Sequence, residues 1–118
     1  MSAEVSDAIG TRLLFEDDRV RVWEQALAPG ESFPRHRHEY DYIQIVADGS
    51  RAGAHIDDKT REWVIAGSPE RAEELANTDY LEVDLQPGTV LASTKGSVHD
   101  NKNVGDTPLR IFLVEFKS

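Results

Sequence analysis

The sequence predicts an all-β domain, a sandwich or a barrel, and three observations carry that reading. Short apolar, β-branched runs recur along the chain. Turn dipeptides separate them: Pro29-Gly30, Asp48-Gly49, Pro87-Gly88, Lys95-Gly96 and Gly105-Asp106. One stretch, "PRHRHEYDYIQIVADG", alternates in a way that only an extended backbone makes sense of. Many short strands at such spacing close into sandwiches or barrels.

Taken in order, strands are expected over 19–27, 40–47, 51–57, 61–65, 80–85, 89–93, 97–103 and 109–116. Each is rich in Val, Ile, aromatic or alternating residues, and each is bounded by turn signals. The segment 68–76, "SPERAEELA", differs. Ser68 suits a helix N-cap, Pro69 the first helical position and Glu70 the first turn, so a short helix is expected there. No sequence repeat, low-complexity stretch or linker interrupts the pattern. The expected organisation is one domain, 1–118.

Composition narrows the function classes. The chain has 118 residues, enough for one core. It has no cysteine, which excludes disulfides, thiolate metal sites and cysteine nucleophiles. The opening "MSAEVSDAIG" lacks the basic and apolar regions of a signal peptide. No apolar run approaches the roughly 18 residues that a membrane span needs. A cytoplasmic protein is the expectation. With 22 acidic against 13 basic residues the formal net charge is −9. That charge argues against nucleic acid, which needs a basic footprint.

Residues two apart on a strand share a face. If 35–47 is extended, His36, His38, Tyr40, Tyr42, Gln44 and Val46 form one row. Arg35, Arg37, Glu39 and Asp41 start the other, and Ile43 and Ile45 continue it. A two-residue Asp48-Gly49 hairpin would pair Ala47 with Ser50. Tyr42 would then face His55, Gln44 would face Gly53, and Val46 would face Arg51. His55 and Arg51 would thus join the histidine row. On the opposite face Ile43, Ile45, Ala52, Ala54 and Ile56 would form an apolar row. An odd loop length would reverse all of these pairings.

A metal site needs at least three convergent ligands, and imidazole suits Fe, Ni, Cu and Zn. His36 and His38 supply two. The third must be His55 or His99, since the chain has four histidines. His99 has the more telling context, "PGTVLASTKGSVHDNKN", with two turns, a strand, a histidine and an asparagine in order.

Both stretches resemble the two motifs of the cupin superfamily. The first motif, G-x5-H-x-H-x3,4-E-x6-G, is matched by Gly30, His36, His38 and Gly49, with Tyr42 where the Glu belongs. The second, G-x5-P-x-G-x2-H-x3-N, is matched by Gly88, Gly96, His99 and Asn103, with Thr94 where the Pro belongs. The motifs span 30–49 and 88–103. The resemblance implies a cupin double-stranded β-helix, a jelly-roll-like barrel. It implies a divalent transition metal held at the barrel mouth by His36, His38 and His99. Fe2+ is favoured, with Zn2+, Ni2+ or Mn2+ as alternatives. Some cupin dioxygenases use three histidines alone, so the loss of the Glu does not remove the metal expectation. The pattern around the first motif is also similar to small single-domain cupins of amino-acid and amine catabolism, one of them linked to β-alanine degradation.

The expected function is a metal-dependent enzyme on a small polar metabolite, in the manner of a three-histidine Fe(II) dioxygenase. A metal-dependent isomerase or lyase and a non-catalytic ligand-binding cupin are the alternatives. Tyr42 and His55 are the candidate catalytic groups. A phenol with pKa about 10 is a poor metal ligand, so Tyr42 reads as a hydrogen-bond donor in the pocket. Tyr40, Gln44 and Arg51 are candidate substrate contacts; a guanidinium suits a carboxylate. The expected partners are a small molecule and a second copy of the chain, not nucleic acid or membrane. Similar cupins commonly form homodimers, often exchanging an N-terminal strand. The apolar row or the N-terminal strand is the expected interface.

Overall fold

The recurring apolar runs become β1 (Arg12–Glu16), β2 (Val20–Leu27), β3 (Ser32–Arg37), β4 (Asp41–Asp48) and β5 (Arg51–His55), then β6 (Tyr80–Asp84), β7 (Val90–Ser93), β8 (Val98–Asn103) and β9 (Leu109–Phe116). Two helices, α1 (Asp58–Gly67) and α2 (Ala72–Leu75), are joined by a 3-10 turn at Pro69–Arg71. This computed structural model describes residues 8–117, so both ends of the expected 1–118 domain lie outside the described residues. No helix among them is long and apolar enough to cross a membrane.

The strands form two antiparallel sheets, five-stranded in the order β1-β2-β9-β4-β7 and four-stranded in the order β3-β8-β5-β6. The sheets face each other as an all-β double-stranded β-helix. Alternation sorts the side chains. Leu109, Ile111 and Leu113 of β9 point inward and are at most 2% exposed, while Arg110 between them is exposed. Ile9, Leu27, Phe33, Tyr42, Val46, Ala52 and Leu85 join them in the main core. A second small core of Ile56, Leu75 and Leu81 anchors the helices.

The Asp48-Gly49 hairpin does not form. β4 pairs with β7 and β9, whereas β5 pairs with β6 and β8. The chain crosses from one sheet to the other at Gly49. A Cβ there would meet Leu109 Cδ1 at 2.6 Å and the Leu85 carbonyl at 2.9 Å, so the corner needs glycine. The expected apolar row is therefore split. Ile43 and Ile45 lie on the outer face of the five-stranded sheet, while Ala52, Ala54 and Ile56 face the interior from the other.

Residues 61–65, expected as a strand, lie inside α1. The Asp57 carboxylate accepts from the Thr60 backbone N–H and caps the helix. Buried Thr60 fixes α1 against the sheet, its hydroxyl accepting from the Val98 N–H at 3.2 Å. The expected helix at 68–76 is a 3-10 turn followed by one turn of α-helix. Ser68 precedes it without a side-chain capping bond. β1 was not anticipated; its residues are all exposed, so burial left no alternating signature.

Candidate metal centre and adjoining cavity

The site begins with an irregularity in β3. Phe33 pairs with Asn101 and His36 with His99, so β3 spends three steps where β8 spends two. Pro34 sits in this bulge, where it has no N–H to lose from the ladder. The bulge puts Phe33 and His36 on the same inner face. His38 follows two residues later and is also buried, while Arg37 between them is exposed. The His38 backbone is held at both ends, its N–H donating to the Ser97 carbonyl and its carbonyl accepting from the Gly96 N–H.

These elements bring His36, His38 and His99 together, with one ring nitrogen of each within 4.8 Å of the others. Burial drives all three imidazoles toward the neutral form. His38 is pushed down to about 2 and His99 to about 3, with neighbouring histidines adding to the effect. His36 is lowered by the same desolvation, opposed by its bond to Pro34. A neutral imidazole is the form that ligates a metal.

The donor set fits a metal ion. His36 Nδ1–H donates to the Pro34 carbonyl at 2.9 Å, which leaves Nε2 with its lone pair. That Nε2 is buried and has no hydrogen-bond partner. His38 Nε2 and His99 Nε2 stand 2.9 Å apart, a distance that requires a proton or a cation between two lone pairs. An ion there would take a lone pair from each of the three imidazoles, while His38 Nδ1 is buried without a hydrogen-bond partner. Nitrogens about 2.1 Å from one ion lie roughly 3–3.5 Å apart, so His38 and His99 would open slightly and the wider spacings, up to 4.8 Å, would close. The cluster could hold a metal ion; nothing in it selects which one.

Tyr42 joins the cluster from the opposite sheet. Its ring stacks on His38 with centroids 3.8 Å apart and planes 11° apart. Its hydroxyl lies 3.4 Å from Ser97 Oγ. Burial raises the phenol above its ordinary range, which keeps it protonated and able to donate. His99, Tyr42 and Gln44 border a cavity of about 340 Å³ between the sheets, beneath α1. Its walls are largely apolar, with Leu81, Val83, Leu85 and Ile111 among them.

Three expected site residues lie elsewhere. Arg51 points outward and pairs with Glu82 at 2.9 Å and Asp84 at 2.7 Å. His55 is on the same outer face, hydrogen-bonded to Asp100 and packed against the Tyr80 ring. The failed hairpin explains both, because β5 never lies beside β4. Tyr40 falls after the end of β3 and sits over the Arg21 guanidinium at 5.5 Å, outside the cavity lining. Arg21 is in turn held by buried Glu115 at 2.6 Å. Conversely, Lys59 and Trp63 border the cavity from α1, and Asn101 borders it while donating to Gln25. Trp63 was hidden by the strand expected over 61–65 and Lys59 by the gap before it, although Asp57 and Thr60 carried a cap signal. Asn103, the last residue of the second motif, has a structural role. Its side chain donates to the Leu27 and Thr107 carbonyls and accepts from the Gly105 N–H.

The architecture is that of solved cupins. The chain is similar to a cupin domain from Bordetella pertussis Tohama I, with a TM-score of 0.68 and 21% identity over 99% of this chain and 100% of that one. It is also similar to an RmlC-like cupin family protein with a double-stranded β-helix fold from Methanocaldococcus jannaschii, with a TM-score of 0.63 and 14% identity, covering 98% and 89% of the two chains. A cupin superfamily protein from Desulfitobacterium hafniense DCB-2 aligns with a TM-score of 0.57 and 18% identity, covering 96% and 84%. No protein-family model and no curated protein matches the sequence. At these identities the likeness shows the cupin fold.

Proposed function

We propose that this cupin-fold chain is a metal-dependent enzyme acting on a small molecule held beside His99, with Fe2+ the favoured ion and an oxygen-dependent, dioxygenase-type reaction the favoured chemistry. One observation carries the reading. Three neutral imidazoles converge beside a cavity that His99 alone of them borders and that no carboxylate among the described residues lines. An acid–base pair of the usual carboxylate kind is thus absent from the cavity walls. A divalent ion held by His36, His38 and His99 would supply a Lewis-acid or O2-activating centre. The protein's own groups do the rest. Apolar walls exclude water and hold the ligand's body. The Tyr42 hydroxyl offers a hydrogen bond at the cavity edge, and its ring fixes the plane of His38. Gln44 offers a second polar contact.

O2 uptake tests this on Fe2+-loaded protein challenged with a panel of small metabolites. Ligand-dependent O2 consumption that disappears in His99→Ala supports the reading. Conversion of a ligand without O2 consumption would replace it with an isomerase or lyase. Tight binding without any conversion would leave a binding module.

The assembly proposed with this function is a homodimer through the outer face of the five-stranded sheet. Directly opposed residues share a face. Phe15, Val22, Val114, Ile43 and Ala92 are opposed in turn across β1, β2, β9, β4 and β7. The row crosses the whole sheet without a charge. Two chains of net charge −9 repel at long range, and an uncharged row is where contact costs least.

A further inference from the structure

The cavity carries a charge pattern that the histidine cluster does not explain. Acidic residues outnumber Lys and Arg in this chain by 22 to 13. Yet among the described residues the cavity lining includes no Asp or Glu, and it includes Lys59, Arg71 and Lys95. Arg71 is already committed, holding the Glu74 carboxylate at 2.9 Å and donating to the Glu82 carbonyl at 3.1 Å. Lys59 and Lys95 are not. Among the described residues neither ammonium has an ion-pair partner.

The two lysines come from different elements and both border the cavity. Lys59 is in the first turn of α1, and Lys95 is in the turn between β7 and β8. Lys59 Nζ lies 2.7 Å from where a Cβ on Gly96 would stand, beside Lys95. Gly96 has φ +97°, so the residue that the turn requires also leaves room for the lysine. Two ammonium groups on one cavity with no acid in its lining offer an anionic ligand opposite charge at that edge. Below it the walls are apolar: Ala54, Leu81, Val83, Leu85 and Ile111. The cavity thus presents a cationic edge to one end of a ligand and hydrocarbon to the rest.

We propose that the cavity binds a small carboxylate with an apolar alkyl or aryl body, its carboxylate at Lys59 and Lys95 and its body against Leu81, Val83 and Ile111. This revises the small polar metabolite that the sequence suggested. It rests on the proposed function only for what happens at the ligand's far end, near His99. The anion site itself stands on the lysines.

Matched ligand pairs test it by calorimetry or ligand-observed NMR: phenylacetate against phenylacetamide, and hexanoate against hexanamide. Each pair is measured on protein as purified and on chelator-stripped protein. The acids should bind about tenfold more tightly than the amides in both preparations, the size expected of partly exposed charge pairs. Lys59→Gln/Lys95→Gln should abolish the preference without weakening the amides. Lys59→Arg/Lys95→Arg should keep it. Inorganic phosphate, which has the charge but no body, should compete weakly. Equal binding of acid and amide, undetectable binding of every acid at millimolar concentration, or phosphate binding as tightly as phenylacetate would overturn the proposal. So would an acid preference confined to metal-loaded protein and indifferent to the lysines. In that case the carboxylate sits on the metal and the proposed function survives. An acid preference that depends on the lysines, in a protein that never holds metal, would support the carboxylate site and remove the metal reading.

Discussion

The two sheets finish their outer faces in opposite ways. On the four-stranded sheet the outward residues of β5 and β6 neutralise one another. Arg51 holds Glu82 and Asp84, the Tyr80 hydroxyl donates to Glu82, and His55 engages Asp100 on β8. That face is complete in water. The outward residues of the five-stranded sheet include an uncharged row, Phe15, Val22, Val114, Ile43 and Ala92, with Ile45, Phe112 and Val90 beside it, alongside an ion-paired group of Arg12, Glu24 and Arg110. Phe15 is 53% exposed and Val90 59%. A contiguous exposed apolar face of this kind marks an interaction surface. The inner faces differ too. The four-stranded sheet supplies His36 and His99, which are direct partners on β3 and β8. The five-stranded sheet supplies Tyr42 and Gln44, which wall the cavity. One sheet therefore carries the donors and a charge-paired outer face, and the other carries the wall and the apolar row proposed above as the contact with a second copy.

The largest expected effect concerns the donors. In metal-free protein, His38 and His99 titrate near 2 and 3, well below the unfolded value of about 6.5. Below pH 6.5 the unfolded chain therefore binds more protons than the folded one. Stability from these groups is complete above about pH 6.5 and falls as pH drops toward 3. The slope is about 1.4 kcal/mol per pH unit for each histidine. Urea midpoints of chelator-treated protein at pH 7.5 and 5 should differ accordingly, and His99→Gln should flatten the dependence. A pH-independent wild type would break the account of a buried neutral cluster.

Next in size is the outer face of the five-stranded sheet. Ile43→Asp places a charge at the centre of the apolar row. It should weaken self-association by a factor of about 100, the scale of an unpaired charge at a buried interface. Light scattering at low micromolar concentration should find a dimer for wild type and a 13.2 kDa monomer for the variant. A stable dimer of this kind buries on the order of 2,000 Å² in total. Arg51→Ala, on the other sheet's outer face, should leave the mass unchanged. A monomeric wild type would sink the dimer.

Tyr42→Phe sharpens the inner comparison. The variant keeps the ring that stacks on His38 and loses only the hydroxyl. It should fold, keep its metal, and lose ligand affinity by about threefold to tenfold, as for one hydrogen bond. Loss of metal comparable to a histidine variant would make Tyr42 a ligand. The smallest effect is expected for His55→Gln. With the side chain outside the cavity, ligand affinity should not change.

The same contrast explains what the sequence could reveal. His36, His38 and His99 were legible because two spaced motifs each tie a histidine to glycines, and turns formed at Gly30, Gly88 and Gly96. In-and-out alternation was also legible within single strands, as Ala52, Ala54 and Ile56 show. The sheet to which a strand belongs was not. Asp48-Gly49 suits a hairpin and suits a corner between sheets, and only the close approach of Leu109 and Leu85 to Gly49 distinguishes them. That one ambiguity misplaced Arg51, His55 and the apolar row together. β-Branched content disguised residues 61–65 of α1 as a strand, and so hid the helix turn that carries Lys59. The Pro34 bulge left no sequence signal beyond the proline itself.

Metal content of the purified protein tests the central claim most directly. Elemental analysis of wild type and His99→Ala should find up to about one first-row divalent ion per chain in the wild type. The variant should remain folded by circular dichroism and lose most of that metal. Equal metal in the two proteins, or none in wild type even after anaerobic reconstitution with Fe2+, would contradict the assignment of His36, His38 and His99 as a metal centre.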